Sequence, residues 1–120
     1  MLDWLARVDP ERAFLSAMTP AEIRAGMARL GDGRRAARLE AWLAEVRERF
    51  DGRILPLDDD VLDRWGRLVG SALARGVRLP GIDALFAATA LHHNLVLVTR
   101  NVRHLAHAGV DLFDPWEEPG

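Results

Sequence analysis

The stretch Leu79-Pro80-Gly81-Ile82-Asp83-Ala84-Leu85-Phe86-Ala87-Ala88-Thr89-Ala90, followed by Leu95-Val96-Leu97-Val98-Thr99-Arg100-Asn101, decides the fold. Its first part is apolar nearly all round, which predicts a buried helix with an acid, Asp83, at its mouth. Its second part is a hydrophobic strand that ends in a polar Thr-Arg-Asn tip. Open α/β sheets place their ligands where strands end and buried helices open, so a site is expected here. Asp83 has an alternative reading as a helix N-cap, because aspartate accepts hydrogen bonds from the free N–H groups of a first turn.

Towards the N-terminus, Arg12 to Met18 reads as a short buried strand. Thr19 then caps a helix with Pro20 at its first position, where the missing N–H is no loss. Ile23, Met27 and Leu30 share one face of it. After Gly31-Asp32-Gly33, Arg34 to Phe50 places Leu39, Trp42, Leu43 and Val46 at helical spacing, with Arg38, Glu45 and Glu48 opposite. Asp51-Gly52 turns the chain into a second strand, Arg53 to Leu57, and Asp58-Asp59-Asp60 opens a helix to about Gly76. Beyond the deciding stretch, a short helix from Asn101 to about His107 and a last strand, Val110 to Phe113, are expected. Strands alternating with helices predict an α/β fold in a single domain, with a largely parallel sheet covered on both faces.

The chain has 120 residues, 49% of them hydrophobic, which suits one compact core and excludes a disordered chain. It has no cysteine, so neither disulfides nor thiolate metal sites are available, and a cytosolic location is the default expectation. The opening residues lack the apolar run of a signal peptide, and no stretch has the length of a membrane span. All 16 basic residues are arginine, yet the net charge is -2, so a nucleic-acid partner would have to be held locally rather than by a general basic field.

Glu22 lies at the edge of the Ile23 stripe and could point along the sheet's end, although by itself it reads first as an ordinary solvated helix glutamate. Thr99, Arg100 and Asn101 put a hydroxyl, a guanidinium and an amide at one strand end, a set able to hold a metal-bound water or a phosphate oxygen. The acids Asp58, Asp59 and Asp60 read as a cap and first-turn acids complementing the helix dipole, since adjacent helical positions diverge. His92-His93 and the pair His104 and His107 lack a convergent third ligand for zinc.

Together, Thr19-Pro20-Ala21-Glu22-Ile23-Arg24-Ala25-Gly26, Ile82 to Ala90, Val98-Thr99-Arg100-Asn101-Val102-Arg103 and Asp114-Pro115-Trp116 resemble the PIN-domain ribonucleases. The likeness is to the VapC-type toxins, in particular their FitB-like branch. It implies a PIN-like sandwich and a metal-dependent endoribonuclease, the toxin half of a toxin–antitoxin pair. It further implies Mg²⁺ or Mn²⁺ at a carboxylate cluster, with Glu22 and Asp83 as two of the acids, Asn101 at the fourth metal position and Thr99 supporting it. An RNA substrate, a small antitoxin and a homodimer are the implied partners.

Two departures from the family pattern carry expectations of their own. The family opens with a central strand ending in an Asp-Thr-Asn type motif, whereas Met1 to Arg12 already resembles the family's second segment, a Trp-containing helix. The domain is therefore expected to lack that first strand and its aspartate. Asn101 also stands where many members carry an acid, and His104 where aspartate is frequent. With Glu22 and Asp83 as the ionised ligands, metal binding and nuclease activity are expected to be weak. The alternative is a non-catalytic antitoxin-binding or dimerisation module using Trp42 and Trp65, which otherwise read as core.

Overall fold

The computed structural model describes residues 9–99, 102–103, 105–106 and 108–114. The chain divides into two compact units, Glu11–Pro56 and Leu57–Gly120 with Met1–Pro10. The expected N-terminal helix around Trp4 lies outside the described residues; Pro10–Arg12 form a single 3-10 turn.

The Glu11–Pro56 unit is a helical hairpin closed by two strands. β1 (Leu15–Ser16) leads into α1 (Met18–Leu30), α2 (Arg34–Arg49) and β2 (Ile54–Leu55). The strands pair in parallel, Leu15 opposite Ile54 and Ser16 opposite Leu55. Parallel neighbours need a long crossover, and the two helices supply it. Leu43 on α2 is 1% exposed and Met27 on α1 is buried. Arg24 on α1 and Glu40 on α2 form a bidentate pair, of which the Nη2–Oε1 bond measures 3.0 Å. That hydrogen bond, with the guanidinium charge, holds the Glu40 carboxyl below the usual carboxylate range.

Local chemistry in this unit differs from the sequence expectation in two places. The first helix starts at Met18, and Thr19 does not cap it: Ser16 Oγ accepts from the Met18 N–H at 3.1 Å, before the threonine is reached. Trp42 is 49% exposed, so it is not core. Residues 42 and 43 point about 100° apart on a helix, and Leu43 takes the inward position.

The Leu57–Gly120 unit is built on α3 (Asp59–Ala74) and α4 (Gly81–His92), followed by β3 (Leu97–Val98) and β4 (Leu112–Phe113). Asp58 caps α3 by accepting from the Val61 N–H at 3.0 Å, with Asp59 and Asp60 in the first turn, as the sequence suggested. α3 ends at Gly76 in a left-handed conformation, where the Val77 N–H reaches the Ala72 carbonyl and the Gly76 N–H the Leu73 carbonyl. This Schellman closure turns Val77 onto a core of Ala72, Leu79 and Ala84.

The helix read as buried is buried: Ala84, Ala87 and Ala88 are fully enclosed, and Thr89 satisfies its hydroxyl on the Leu85 carbonyl at 2.8 Å. The same closure ends α4 on Asn94, φ 55°, with the Leu95 N–H on the Ala90 carbonyl at 2.8 Å. The chain is thereby aimed into β3. Leu97 and Leu112 face a second core of Ala87, Leu105 and Ala108.

Among the described residues the strands form two parallel pairs of two residues each, shorter than the expected runs 12–18, 53–57, 95–99 and 110–113. The expected helix from Asn101 to His107 falls partly outside the described residues; Val102, Arg103, Leu105 and Ala106 lie in turns. Among the described residues no helix is long and apolar enough to cross a membrane.

Candidate functional site

Asp83 occupies the third position of α4, two residues after the helix begins at Gly81 and preceded by Pro80 at the cap position. It is therefore a first-turn acid and not the N-cap. A carboxylate there complements the positive end of the helix dipole. Its place is fixed from three directions. Ala84, its neighbour, is fully buried against Ala72 and Leu79. The Ala84 N–H bonds the Pro80 carbonyl at 2.8 Å, and the Trp65 indole donates to the Gly81 carbonyl at 3.2 Å. The side chain of Asp83 is half-buried.

Thr99 follows β3 and is also half-buried. Its N–H donates to the Phe113 carbonyl at 3.0 Å, extending the β3–β4 ladder by one bond. Because Val98 stands opposite Phe113 in a parallel pair, the next residues, Thr99 and Asp114, lie abreast at the C-terminal ends of the two strands. Asp114 is a half-buried carboxylate that the sequence reading did not single out as a site residue. Its signal was present in the acid that follows the last apolar strand, but the register that sets it beside Thr99 is not local.

Glu22 belongs to the other unit, where it is exposed near the start of α1. Asn101 lies outside the described residues. The structure thus brings Thr99 and Asp114 to one strand end and sets Asp83 in the same unit. Among the described residues no three histidine or acidic side chains gather as a metal site. The donors in question are carboxylate and hydroxyl oxygens, which in kind fit a hard divalent cation and not zinc.

The chain matches the family model described as PIN domain over residues 1–110. It is 34% identical over 118 residues to VapC ribonuclease Y4jK of Sinorhizobium fredii, covering 98% of this chain and 84% of that protein. It is likewise 34% identical over 116 residues to Toxin FitB of Neisseria gonorrhoeae, covering 96% and 84%. Among solved structures, FitAcB from Neisseria gonorrhoeae superposes with a TM-score of 0.91 at 34% identity, covering 98% of this chain and 85% of that one.

Proposed function

The chain belongs to the PIN-domain family, and from that premise we propose that it is the toxin component of a toxin–antitoxin pair, a divalent-metal-dependent endoribonuclease. The observation that carries the reading is the half-buried Asp83 in the first turn of a helix whose inner face is fully enclosed. A buried helix spends its packing on holding one carboxylate in place, which suits a ligand group better than a surface cap. The relatives named VapC ribonuclease and Toxin FitB supply the reaction class.

The cation ligands of this reading are those that the family resemblance implies, Glu22, Asp83 and Asn101, with Mg²⁺ or Mn²⁺ as the ion. When bound, it supplies Lewis-acid activation of a phosphodiester and of a water. Thr99 keeps a hydroxyl at the strand end, fixed through its own N–H on Phe113, so it can orient a water or a phosphate oxygen without moving the backbone. Asp83 contributes its carboxylate from the first turn of α4. Two carboxylates give a modest field for an ion that dehydrates reluctantly, so weak cation binding and slow cleavage are expected. RNA is the substrate, and a small antitoxin and a second copy of the chain are the partners.

The test is Mn²⁺ titration followed by electron paramagnetic resonance, alongside an RNA cleavage assay with Mg²⁺ and Mn²⁺. Binding and cleavage that both disappear in Asp83→Asn and Glu22→Gln support the enzyme. Cation binding indifferent to both substitutions, with no cleavage, favours a non-catalytic interaction module. That second reading has its own observation in the exposed Trp42 and Leu30 of the helical hairpin.

A further inference from the structure

The Glu11–Pro56 unit carries a cationic patch that the metal site does not use. Arg29 ends α1, and Arg34, Arg35 and Arg38 open α2; all four are exposed. The first turn of α2 contains no acid, and Gly33 before it offers no side-chain cap, so Arg34 and Arg35 stand at the helix end where positive charge is least favoured. Glu40, one turn further on, is already engaged by Arg24. Asp32 is the one acid between Arg29 and Arg38. In a chain of net charge -2 this concentration is local and costs helix stability, which points to an anionic occupant.

Beside the patch, α1 and α2 enclose a groove of about 570 Å³ whose lining includes Leu30, Leu39, Arg35, Arg38 and Trp42. Residues 35, 38 and 42 follow one another at helical spacing, so two guanidinium forks and a half-exposed indole form a row about 10 Å long. Guanidinium forks match phosphate oxygens two at a time. An exposed indole offers a stacking face to any base. Phosphates alternating with flat rings are the chemistry of a single-stranded nucleic acid.

We propose that this groove is a docking site for single-stranded RNA, with Arg35 and Arg38 on successive phosphates, Trp42 under a base, and Arg29 and Arg34 extending the field. The identification of the strand as RNA rests on the ribonuclease reading; the groove's lining includes none of Glu22, Asp83 and Thr99. It would hold substrate without needing the cation.

The test is fluorescence anisotropy of a labelled single-stranded RNA oligonucleotide with the full chain in EDTA, over a range of salt. The triple variant Arg34→Ala/Arg35→Ala/Arg38→Ala should lose about tenfold or more in affinity, and its salt slope should fall by about 1.4 or more, as two lost phosphate contacts on a single strand require. Trp42→Ala should lose about fivefold or more. A charge-matched control, Arg47→Ala/Arg64→Ala/Arg103→Ala, should change affinity by about twofold or less. Far-UV circular dichroism and thermal melts establish that each variant is folded, which is expected because the substituted side chains are exposed.

Equal losses in the two triples, or no RNA binding by the unaltered chain, overturn the proposal. So does a patch triple that keeps its RNA affinity but no longer copurifies with a coexpressed antitoxin, since the face then serves a polypeptide. Cleavage assays run in parallel separate the two claims. RNA bound at the patch but never cleaved defeats the ribonuclease reading alone, and cleavage that ignores the patch triple, with unchanged binding, defeats the docking site alone.

Discussion

The Trp65 indole donates to the carbonyl of Gly81 at 3.2 Å, tying α3 to the residue that opens α4, two positions before Asp83. Trp65 also packs against the core of Ala72, Leu79 and Ala84. Trp65→Phe keeps most of that packing and removes the hydrogen bond, so it should cost about 0.5–1.5 kcal/mol in a denaturant melt. If the bond also steadies Asp83, the same variant should weaken Mn²⁺ binding, whereas a purely structural bond would leave it unchanged.

Asp83→Asn separates site from scaffold. The substitution removes a first-turn charge worth about 0.3–1 kcal/mol and no buried apolar surface, so thermal stability should shift by a few degrees at most. Mn²⁺ binding should nevertheless be lost. A large drop in stability with cation binding preserved would make Asp83 a structural acid.

Asn94 holds a left-handed conformation at the end of α4, one that a side chain tolerates poorly and glycine adopts freely. Asn94→Gly should leave stability within about 0.5 kcal/mol, while Asn94→Val should cost about 1–2 kcal/mol. Urea midpoints of the two variants check this. Equal midpoints would show that the Leu95 to Ala90 bond does not govern the entry into β3.

The cores should tolerate neither lost nor added volume. Leu43→Ala empties the hairpin's most enclosed large side chain and should cost about 2–5 kcal/mol. Ala84→Leu adds volume where none is free and should cost about 1–3 kcal/mol. A well-tolerated leucine at position 84 would mean that α4 can shift away from α3.

The Arg24–Glu40 pair predicts a pH dependence. Because Glu40 titrates below its ordinary range in the folded chain, the pair's contribution is fully present above the ordinary carboxylate value. It is lost as pH falls through the depressed folded value. Both groups are exposed, so the effect is small and screened by salt. The melting-temperature gap between the chain and Glu40→Gln should hold from neutral pH to the ordinary carboxylate range, close below it, and narrow in high salt. A gap that survives in acid would assign Glu40 a packing role.

What the sequence disclosed follows from how local each signal is. The Asp58 cap and the buried α4 were legible because a cap needs only the next three residues and a helix apolar all round has no solvent face to offer. The position of Trp42 was not, because a stripe that includes both 42 and 43 does not say which of the two is enclosed. The start of α1 was misread for a similar reason: the Thr-Pro signal is real, but Ser16 engages the Met18 N–H first. Asp83 and Thr99 were visible as polar ends of apolar segments. Asp114 emerged only with the β3–β4 register, which depends on pairing between segments separated by the turns after Thr99.

The brevity of the strand ladders bears on the order in which the chain acquires its structure. β3–β4 closes a short segment, whereas β1–β2 closes a longer one that contains both helices of the hairpin. Closing the longer loop carries the greater entropic cost and is repaid by few bonds. Leu15 and Ala17, whose amides reach Arg53 and Leu55, should therefore exchange with solvent deuterium sooner than the amides inside α4, and lock last on refolding.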